Sequence, residues 1–514
     1  MLIWISNRDH LSWLFVAGKF GGRVSAFVAV VWVSALTGNL LATEESDYQH
    51  PIHERHSQVV DRFGIEADPD AVEKVENGDL DTAIAAWWGF DAEDATASLQ
   101  SAIDSGAEHL IVPAMDEPWA VEPIFFTRDD QTILFEEGTV IEAKKGAFHG
   151  LNDSLFEGRD RENLTLIGYG ATFRMQKKDY WSEDYEGSQW RNALDIRGST
   201  NVKILGLTVR DSGGDGIYLG RTDNQPYNQN VVIRHVVSDN NHRQGLSVIT
   251  AENLLVEDSV FSNTRGHSPM AGIDLEPNQS DEKLVNVVIR NCLFLDNEHL
   301  GFTVFLGHLD ESSEEVSVLW ENNYVRGGEI GIHITRILDD TPSGEVVIRN
   351  NMVEGTRHAG ILMRAVSADN ELNWHFENNV LVDNAHLRPY SEDLKDFYKT
   401  QFGLSHPDEW WRHPLDWRRH FPAAPIVLHA QLEYSERQGN IRFDNCFVVD
   451  NQDRPAVIIS GTGNPEGEPV FKSWTNVRGQ IFVSNPHGAR MERRVPVEDF
   501  DLAVRPTASA EEED

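Results

Sequence analysis

Two carboxylates alternate with apolar residues in the segment Gly272-Ile273-Asp274-Leu275-Glu276. In a β-strand, successive side chains face opposite sides, so Ile273 and Leu275 would face the core and Asp274 and Glu276 the outer surface. Two neighbouring carboxyl groups can serve as the acid and the base of glycoside hydrolysis. Asp274 and Glu276 are therefore candidate catalytic residues.

The same strand pattern recurs along the chain at a nearly constant interval. Six such segments contain a glycine followed by alternating apolar residues, and successive glycines are 27 to 30 residues apart. These glycines are Gly216, Gly245, Gly272, Gly301, Gly331 and Gly360. A second motif, of the type Asn-Val-Val-Ile-Arg at residues 230–234, runs in step with the first. Short strands with a fixed period and no helical periodicity predict an all-β fold, a right-handed parallel β-helix.

Such a solenoid would bring polar residues of successive coils onto one face. Adjacent strands stack about 4.8 Å apart, so Asp215 would lie two strands from Asp274 and join the candidate catalytic group. An inverting hydrolase needs two carboxyl groups about 6.5–9.5 Å apart, which any two of Asp215, Asp274 and Glu276 could provide. Histidine and arginine side chains would hold a polar or anionic sugar, and aromatic side chains would stack on sugar rings. The predicted substrate-binding residues are His242, Arg243, His267, His333, Arg336, Arg364, Tyr218, Trp410 and Trp411.

Paired polar residues recur at one turn of the predicted coils. The pairs Asn322-Asn323, Asn350-Asn351 and Asn378-Asn379 have Asn291-Cys292 and Asn445-Cys446 in the equivalent places. We interpret them as a stacked asparagine ladder that satisfies backbone amides. The same register places the two cysteines several coils apart, so we expect both to be free.

The chain is expected to have four parts. Residues 1–42 contain Lys19 and Arg23 before an apolar run that is too short for a comfortable membrane span, which indicates a signal peptide and a secreted or periplasmic protein. Residues 43–87 would form a leader, residues 88–485 the β-helix, and residues 486–514 an acidic tail. An aromatic, partly basic insert at 386–428 interrupts the period.

A short helix is predicted at the beginning of the β-helix. Asp91 can cap it, Gly106 can end it, and an apolar strand follows at residues 110–112. Its apolar face would consist of Ala95, Leu99, Ala102 and Ile103. This arrangement resembles the start of pectin-lyase-like β-helix proteins, in which a helix caps the open end of the solenoid. The resemblance covers roughly residues 88–480 and implies carbohydrate-active chemistry.

One part of the solenoid is similar to the polygalacturonase family of β-helix hydrolases. Asp215 in the segment Gly213-Gly214-Asp215-Gly216-Ile217-Tyr218 resembles the first catalytic acid of that family. The sequence then departs from the family pattern, because Arg243 and Gln244 replace its paired acids and Ala271 replaces its histidine. The acids that this chain offers instead, Asp274 and Glu276, come one coil later.

These residues predict a glycoside hydrolase acting on a polysaccharide or oligosaccharide, with two alternatives. A uronate-specific lyase or epimerase would use His333 with Arg336, or His242 with Arg243, as base and carboxylate-binding cation. A non-catalytic glycan-binding solenoid would use the same face without turnover. We expect no cofactor: Ca²⁺ is chemically compatible with the Asp-rich loops, but none has a recognisable metal-ligand spacing.

The charge of the chain restricts its partners. The formal net charge is −39, which argues against nucleic acid and against anionic membrane surfaces. The predicted export signal is the one expected membrane contact. The sequence carries no feature that predicts an oligomeric state.

Overall fold

The structure is a computed structural model that describes residues 15–20, 23–28, 51–386, 422–431, 435–461 and 473–507. Its main body is a solenoid in which each coil contributes strands to three parallel sheets. Every strand pairing in this body is parallel, and each strand pairs with the equivalent strands one coil before and one coil after. The predicted parallel β-helix is confirmed.

Sheet 1 carries the glycine-led segments found in the sequence. Its strands are Ile124–Phe126, Phe156–Arg159, Leu194–Arg197, Ile217–Gly220, Gln244–Val248, Ala271–Leu275, Leu300–Phe305, Ile330–Ile337, Ala359–Val366, Ala424–Ala430, Val457–Gly461 and Met491–Arg493. Alternate residues of each strand, such as Ile273 and Leu275, are fully buried in the solenoid core. Hydrophobic burial on this side therefore fixes which residues face outward.

Sheets 2 and 3 complete each coil and are connected to one another in one continuous pairing network. The strands of sheet 2 are Thr82–Ile84, His109–Val112, Thr132–Phe135, Thr165–Ile167, Thr200–Leu205, Asn228–Arg234, Ala251–Glu257, Leu284–Arg290, Val316–Glu321, Gly344–Arg349, Leu372–Glu377, Arg437–Val449, Ser473–Ser484 and Phe500–Pro506. The strands of sheet 3 are Trp119–Val121, Val140–Ala143, Thr172–Arg174, Thr208–Arg210, Val237–Asp239, Val260–Ser262, Leu293–Leu295, Tyr324–Arg326, Met352–Glu354 and Val380–Val382, with the C-terminal half of Arg437–Val449 pairing next to the last of these.

The asparagine ladder lies in the core beside one turn, as predicted. The backbone N–H of Asn323 donates to Oδ1 of Asn351 at 2.9 Å, and that of Asn351 donates to Oδ1 of Asn379 at 3.0 Å. Cys292 N donates to Asn323 Oδ1 at 2.9 Å, so Cys292 continues the ladder toward the N-terminus. Cys292 and Cys446 are both free and buried, which confirms the predicted register.

The short elements outside the three sheets gather toward the N-terminal end. Helices span Pro51–Phe63, Pro69–Glu76 and Thr96–Asp104, and 3₁₀ helices span Ala85–Trp88 and Asp179–Trp181. Strands Phe15–Phe20 and Arg23–Val28 form an antiparallel pair within the predicted signal segment. In the described part of the chain, no helix is long and apolar enough to cross a membrane.

The capping helix begins later than predicted. It starts at Thr96, whose backbone N–H bonds Asp94 Oδ1 at 3.1 Å, whereas Asp91 bonds Glu93 N at 2.9 Å. The prediction of Asp91 as its cap is wrong, because the N–H of Ala95 donates to Ala120 O at 2.7 Å and holds the preceding residues in a turn. Gly106 follows the helix with φ +88, as a C-terminal glycine does.

The solenoid extends beyond both predicted boundaries. Thr82–Ile84, in the predicted leader, pairs with His109–Val112 in sheet 2. Phe500–Pro506, in the predicted tail, pairs with Ser473–Ser484, where Leu502 is buried. The predicted insert also ends earlier than position 428, because Ala424–Ala430 is a strand of sheet 1. The apolar alternation in each of these segments is too short for the sequence to show that they belong to the repeat.

Candidate active site

The outer face of sheet 1 aligns the predicted site residues strand by strand. Tyr218, Ser247, Asp274, Thr303 and His333 are register partners in that order on five adjacent strands. The same column continues through three buried apolar residues, namely Leu362, Val427 and Ile458. This column therefore becomes apolar after His333, whereas the neighbouring column continues through Arg364, His429 and Ser460.

A set of polar side chains on this face surrounds one guanidinium group. We name it the Arg243 cluster; its members are Asp215, Arg243, Gln244, Ser247, Asp274 and Glu276. Nη1 of Arg243 lies 3.5 Å from Asp215 Oδ2 and 3.4 Å from Ser247 Oγ, and Nη2 lies 2.9 Å from Glu276 Oε2. The Arg243 and Glu276 side chains are 13% and 25% exposed, and Asp215 is fully buried. Arg243 thus links acids from two coils that its own coil separates.

The turn that carries Arg243 is fixed by the coil below it. The backbone N–H groups of His242 and Arg243 both donate to Gly214 O, at 3.1 and 3.0 Å. This places Arg243 directly between the strand after Asp215 and the strand of Asp274. The sequence predicts Arg243 as a substrate-binding residue, whereas its guanidinium contacts Asp215 and Glu276 because these turns stack in register.

Asp274 is a buried acid, 2% exposed, whose carboxyl group is held by a neighbouring amide. Gln244 Nε2 donates to its Oδ2 at 2.7 Å, and Gln244 Oε1 accepts from Ala271 N at 3.0 Å, so the carboxyl orientation is fixed. Burial, and next the negative charge of Glu276, raise the pKa of Asp274 well above its usual range. A hydrogen bond with Glu276 favours the same protonated form. Asp274 is therefore suited to hold a proton that it can donate.

Asp215 lies on the other side of Arg243. Its backbone N–H donates to Asn192 Oδ1 at 2.8 Å, which holds the turn before the strand Ile217–Gly220. Burial raises the pKa of Asp215 to about 6, against the lowering effect of the Arg243 charge and a hydrogen bond from Ser247. Among the described residues, no donor reaches Oδ1 of Asp215 or Oδ1 of Asp274.

The distances between these acids restrict their roles. Asp274 and Glu276 lie two residues apart on one strand, and the charge of Glu276 raises the pKa of Asp274. Asp215 lies two strands from Asp274, about 10 Å at the backbone, with Arg243 in the intervening coil. Asp215 and Asp274 are therefore the more widely separated pair of acids, and the charge of Glu276 favours the protonated form of Asp274.

His242 and His267 lie apart from these carboxylates. Trp181 Nε1 donates to His242 Nδ1 at 3.1 Å, and burial, followed by the charge of Lys177, lowers the pKa of His242 to about 3. The rings of His242 and His267 are 6.2 Å apart, and His267 is exposed with Nδ1 3.0 Å from Ser268 O. The ring of His242 is tilted against that of Trp181 with centroids 5.7 Å apart, and its contact with substrate stays a prediction.

The remaining predicted binding residues extend the face in both directions. His333 Nδ1 lies 3.0 Å from Thr303 Oγ1, and burial and the charge of Arg364 hold the pKa of His333 well below its ordinary value. Arg336 lies over the Phe305 ring at 5.3 Å. Trp410 and Trp411 lie outside the described residues.

Two further candidate site residues, Asp195 and Arg197, were not predicted from the sequence. Asp195 is the register partner of Tyr218, and Arg197 bonds both Asp195 oxygens at 2.7 and 2.8 Å while lying 4.7 Å from the Tyr218 ring centre. Burial raises the pKa of Tyr218 to about 12, so its hydroxyl stays neutral. The alternation Leu194-Asp195-Ile196-Arg197 was a usable signal, but this coil has Ala193 where the others have glycine.

Within the described ranges, no group of three or more His, Cys, Asp or Glu side chains is arranged to hold a metal ion. At the Arg243 cluster, the guanidinium group lies between the carboxylates of Asp215 and Glu276. The buried carboxyl groups of Asp215 and Asp274, both with raised pKa values, are chemically suited to proton transfer.

Comparisons with known proteins agree with the solenoid architecture. A family model described as right handed beta helix region matches residues 186–335. No curated protein matches the chain. The Dettilon tailspike protein (gp208) is 11% identical, with a TM-score of 0.52, over 80% of this chain and 68% of that chain.

Two further solved structures are similar to this chain. The A-module of the Azotobacter vinelandii mannuronan C-5 epimerase AlgE4 is 15% identical over 82% of this chain and 99% of that chain, with a TM-score of 0.46. The Yersinia enterocolitica Family 28 exopolygalacturonase is 13% identical over 78% of each chain, with a TM-score of 0.47. Identities this low bear on the fold alone. This chain is a right-handed parallel β-helix, the fold that pectin-lyase-like proteins share.

Proposed function

We propose that this protein is a glycoside hydrolase that cleaves a polysaccharide or oligosaccharide at the Arg243 cluster, with inversion at the anomeric carbon. The observation that carries the proposal is the pairing of two buried acids, Asp215 and Asp274, on either side of Arg243 on the outward face of sheet 1. Burying acids without full pairing is costly, and such groups cluster at catalytic sites.

The environments of the two acids support different roles. Asp274, whose proton is favoured by burial and by Glu276, donates that proton to the glycosidic oxygen as the bond to the anomeric carbon breaks. A water molecule attacks that carbon from the opposite side, and ionised Asp215 accepts the proton that the water loses. Arg243 favours the ionised form of Asp215, whose pKa is about 6. Hydrolysis should therefore become efficient above about pH 6.

Tyr218 is placed to support a sugar ring beside this centre. It lies in the same coil as Asp215, on the column of Asp274, and Arg197 stacks on its ring. An aromatic face backed by a cation gives a rigid platform for the apolar side of a sugar. We further propose that the protein is exported, on the basic and apolar character of residues 19–36.

A uronate lyase or epimerase is the second candidate, favoured by His333. This imidazole is kept uncharged on the outer face, two strands from Asp274, next to the charge of Arg364. A neutral base beside a cation is the combination that proton abstraction next to a carboxylate needs.

The deciding experiment is a product assay with wild type and Asp274→Asn on neutral, uronate and sulfated polysaccharides. Each reaction is followed for new reducing ends and for ultraviolet absorbance of unsaturated uronates. For the hydrolase, reducing ends appear without that absorbance, and Asp274→Asn lowers the rate by about 10²–10⁴-fold, the usual contribution of a general acid. Glu157→Gln, four strands away in the same column, is the matched control and keeps wild-type activity.

Other outcomes contradict the proposal. Absorbance that rises with cleavage overturns hydrolysis and directs attention to His333. Full activity in Asp274→Asn removes this acid from the mechanism. Glycan binding without any product, in wild type and variant alike, indicates a non-catalytic solenoid.

A further inference from the structure

The outer face of sheet 2 differs from the rest of this acidic molecule. Its strands from Asn228–Arg234 to Leu372–Glu377 form six rows, one row per coil. One outward column of these rows is apolar in five successive coils and consists of Val232, Leu255, Val288, Leu319 and Val347, all half-buried. Five rows span about 20 Å at the strand spacing. A continuous aliphatic stripe of this length on a surface is typical of an interaction site.

The column beside the stripe alternates in charge. Its six register partners are Arg234, Glu257, Arg290, Glu321, Arg349 and Glu377. Glu257 lies 2.6 and 2.8 Å from its arginine neighbours, and Arg349 lies 2.8 Å from Glu321. The three arginine side chains remain 36 to 41% exposed, so they can accept further partners. This face is locally balanced in a chain whose net charge is −39.

The opposite border of the stripe is a ladder of exposed asparagines. Asn230 Nδ2 donates to Asn201 Oδ1 at 2.9 Å, Asn253 Nδ2 to Asn230 Oδ1 at 2.9 Å, and Asn286 Nδ2 to Asn253 Oδ1 at 2.8 Å. A shallow groove lies over the first three stripe residues, Val232, Leu255 and Val288, beside this asparagine ladder. Past Asn286 this border continues as Ser317, Glu345 and Asn373, so it is polar with one exposed carboxylate, whereas the other border alternates in charge.

We propose that this face binds a second copy of the chain in a two-fold symmetric dimer with antiparallel solenoids. A two-fold axis that crosses the stripe at right angles places each column against itself in reverse order. The charge ladder has six alternating members, so its reversal sets every arginine against a glutamate: Arg234 against the partner's Glu377, Glu257 against the partner's Arg349, and Arg290 against the partner's Glu321. The same operation sets Leu255, Val288, Leu319 and Val347 against the partner's stripe, and it sets Val232 against the partner's His375.

Alternative occupants fit this pattern less well. If the two solenoids were parallel, the asparagine ladder would face the charge ladder. The alternating charges would then have no opposite charges to contact across the interface. A strongly anionic partner would meet three glutamates. Six strands of about seven residues offer roughly 600 Å² per copy, close to the area per partner that a specific interface requires. The face is also where two copies of net charge −39 can approach without local repulsion. The proposal does not depend on the proposed hydrolase activity.

The first test is the mass of the full chain in solution, by light scattering or native mass spectrometry over a range of concentrations. We expect a dimer that dissociates on dilution. Val288→Lys inserts a charge next to the two-fold axis and should weaken the dimer by about tenfold or more. Ile65→Lys is the matched control, because Ile65 is an apolar residue 36% exposed and outside this face. Circular dichroism of both variants confirms that the fold is intact.

The second test determines the orientation of the two copies. Val232 and His375 are in the first and last rows, so they face one another only across the antiparallel dimer. Val232→Cys and His375→Cys chains are mixed and treated with a short bis-maleimide, which suits facing sheets about 10 Å apart. We expect cross-linked dimers from the mixture and few from either variant alone; the native cysteines are buried and should not react.

Three results would overturn the proposal. One is a monomer at every concentration, whether or not the groove binds a glycan. Another is self-cross-linking of each single variant, which indicates parallel solenoids. The third is an oligomer that Val288→Lys leaves unchanged.

Discussion

At the scale of single residues, the unusual feature is acid burial without complete pairing. Asp215 shares one guanidinium with Glu276, and Asp274 has one donor, the Gln244 amide. Asp195, one coil before Asp215, instead has a bidentate arginine and is further bonded by Asn192. The three acids are equally buried, so the difference lies in their partners. We interpret the incomplete pairing as a loss of folding stability that leaves these acids able to transfer a proton.

Replacing Asp215 with Asn should stabilise the protein at neutral pH. The folded-state pKa of Asp215, about 6, is above its usual value, so the folded state binds more protons between about pH 4 and 6. The free energy of unfolding therefore falls as pH rises through that window, by up to about 3 kcal/mol for this group. We expect Asp215→Asn to be more stable than wild type at pH 7.5 and equal to it at pH 4, measured by urea unfolding.

The control for this prediction is Asp195→Asn. That substitution removes the partner of Arg197 and should destabilise the protein at pH 7.5 by about 1–3 kcal/mol, less than for a fully buried pair because Arg197 is partly exposed. Loss of stability at both pH values in Asp215→Asn would show that its ionised carboxylate is a structural ion-pair partner.

At the scale of elements, coil stacking depends on buried polar ladders as well as on apolar packing. Asn351 accepts from Asn323 N and donates to Trp320 O at 3.1 Å and to Asn379 Oδ1 at 2.9 Å. Its chain neighbour Asn350 has φ +57 and is half-buried at the turn surface. The pair thus combines a core hydrogen-bonding residue with a residue that tolerates left-handed backbone.

Asn351→Ala should destabilise the solenoid by about 2–4 kcal/mol, because it leaves buried backbone groups of neighbouring coils without partners. Asn350→Gly is the matched control and should cost less than about 1 kcal/mol, since glycine accepts the same φ. Denaturant unfolding of both variants measures the difference. Equal effects of the two substitutions would show that the buried ladder does not stabilise the solenoid more than the surface asparagines do.

At the scale of the whole molecule, the C-terminal coil closes the solenoid where an acidic tail was expected. Phe500–Pro506 covers the edge of Ser473–Ser484, and Met491–Arg493 covers that of Val457–Gly461. Solenoids need such terminal coils because an uncovered edge exposes unpaired backbone groups. The last coil should therefore contribute to solubility as well as to stability.

Truncation separates the two interpretations of this region. A chain that ends at residue 507 retains every described strand and should unfold at the wild-type temperature. A chain that ends at residue 485 loses both terminal strands and should unfold several degrees lower and aggregate. Thermal unfolding with light scattering measures both properties. Wild-type behaviour of the shorter chain would mean that residues 486–507 act as a tail after all.

The sequence by itself determined the fold, the register of sheet 1 and the buried asparagine ladder. Strands that stack in parallel repeat the same inward and outward positions in every coil, so a period of two within strands and of about 29 between them places Asp274 beside Ser247 and Thr303. Even the free state of both cysteines followed from that register.

Only the tertiary structure decided how the site residues interact. Arg243 lies between Asp215 and Glu276, and Trp181 donates a hydrogen bond to His242. Both contacts depend on side-chain conformations across turns, which the repeat period of the sequence does not specify. Asp195 was hidden because Ala193 breaks the glycine pattern without changing the strand. The coils at both ends could not be predicted from the sequence, because a single short strand does not contain enough residues to show the repeat. The pKa shifts of Asp215 and Asp274 arise from burial, which is a property of the folded surface rather than of residue type.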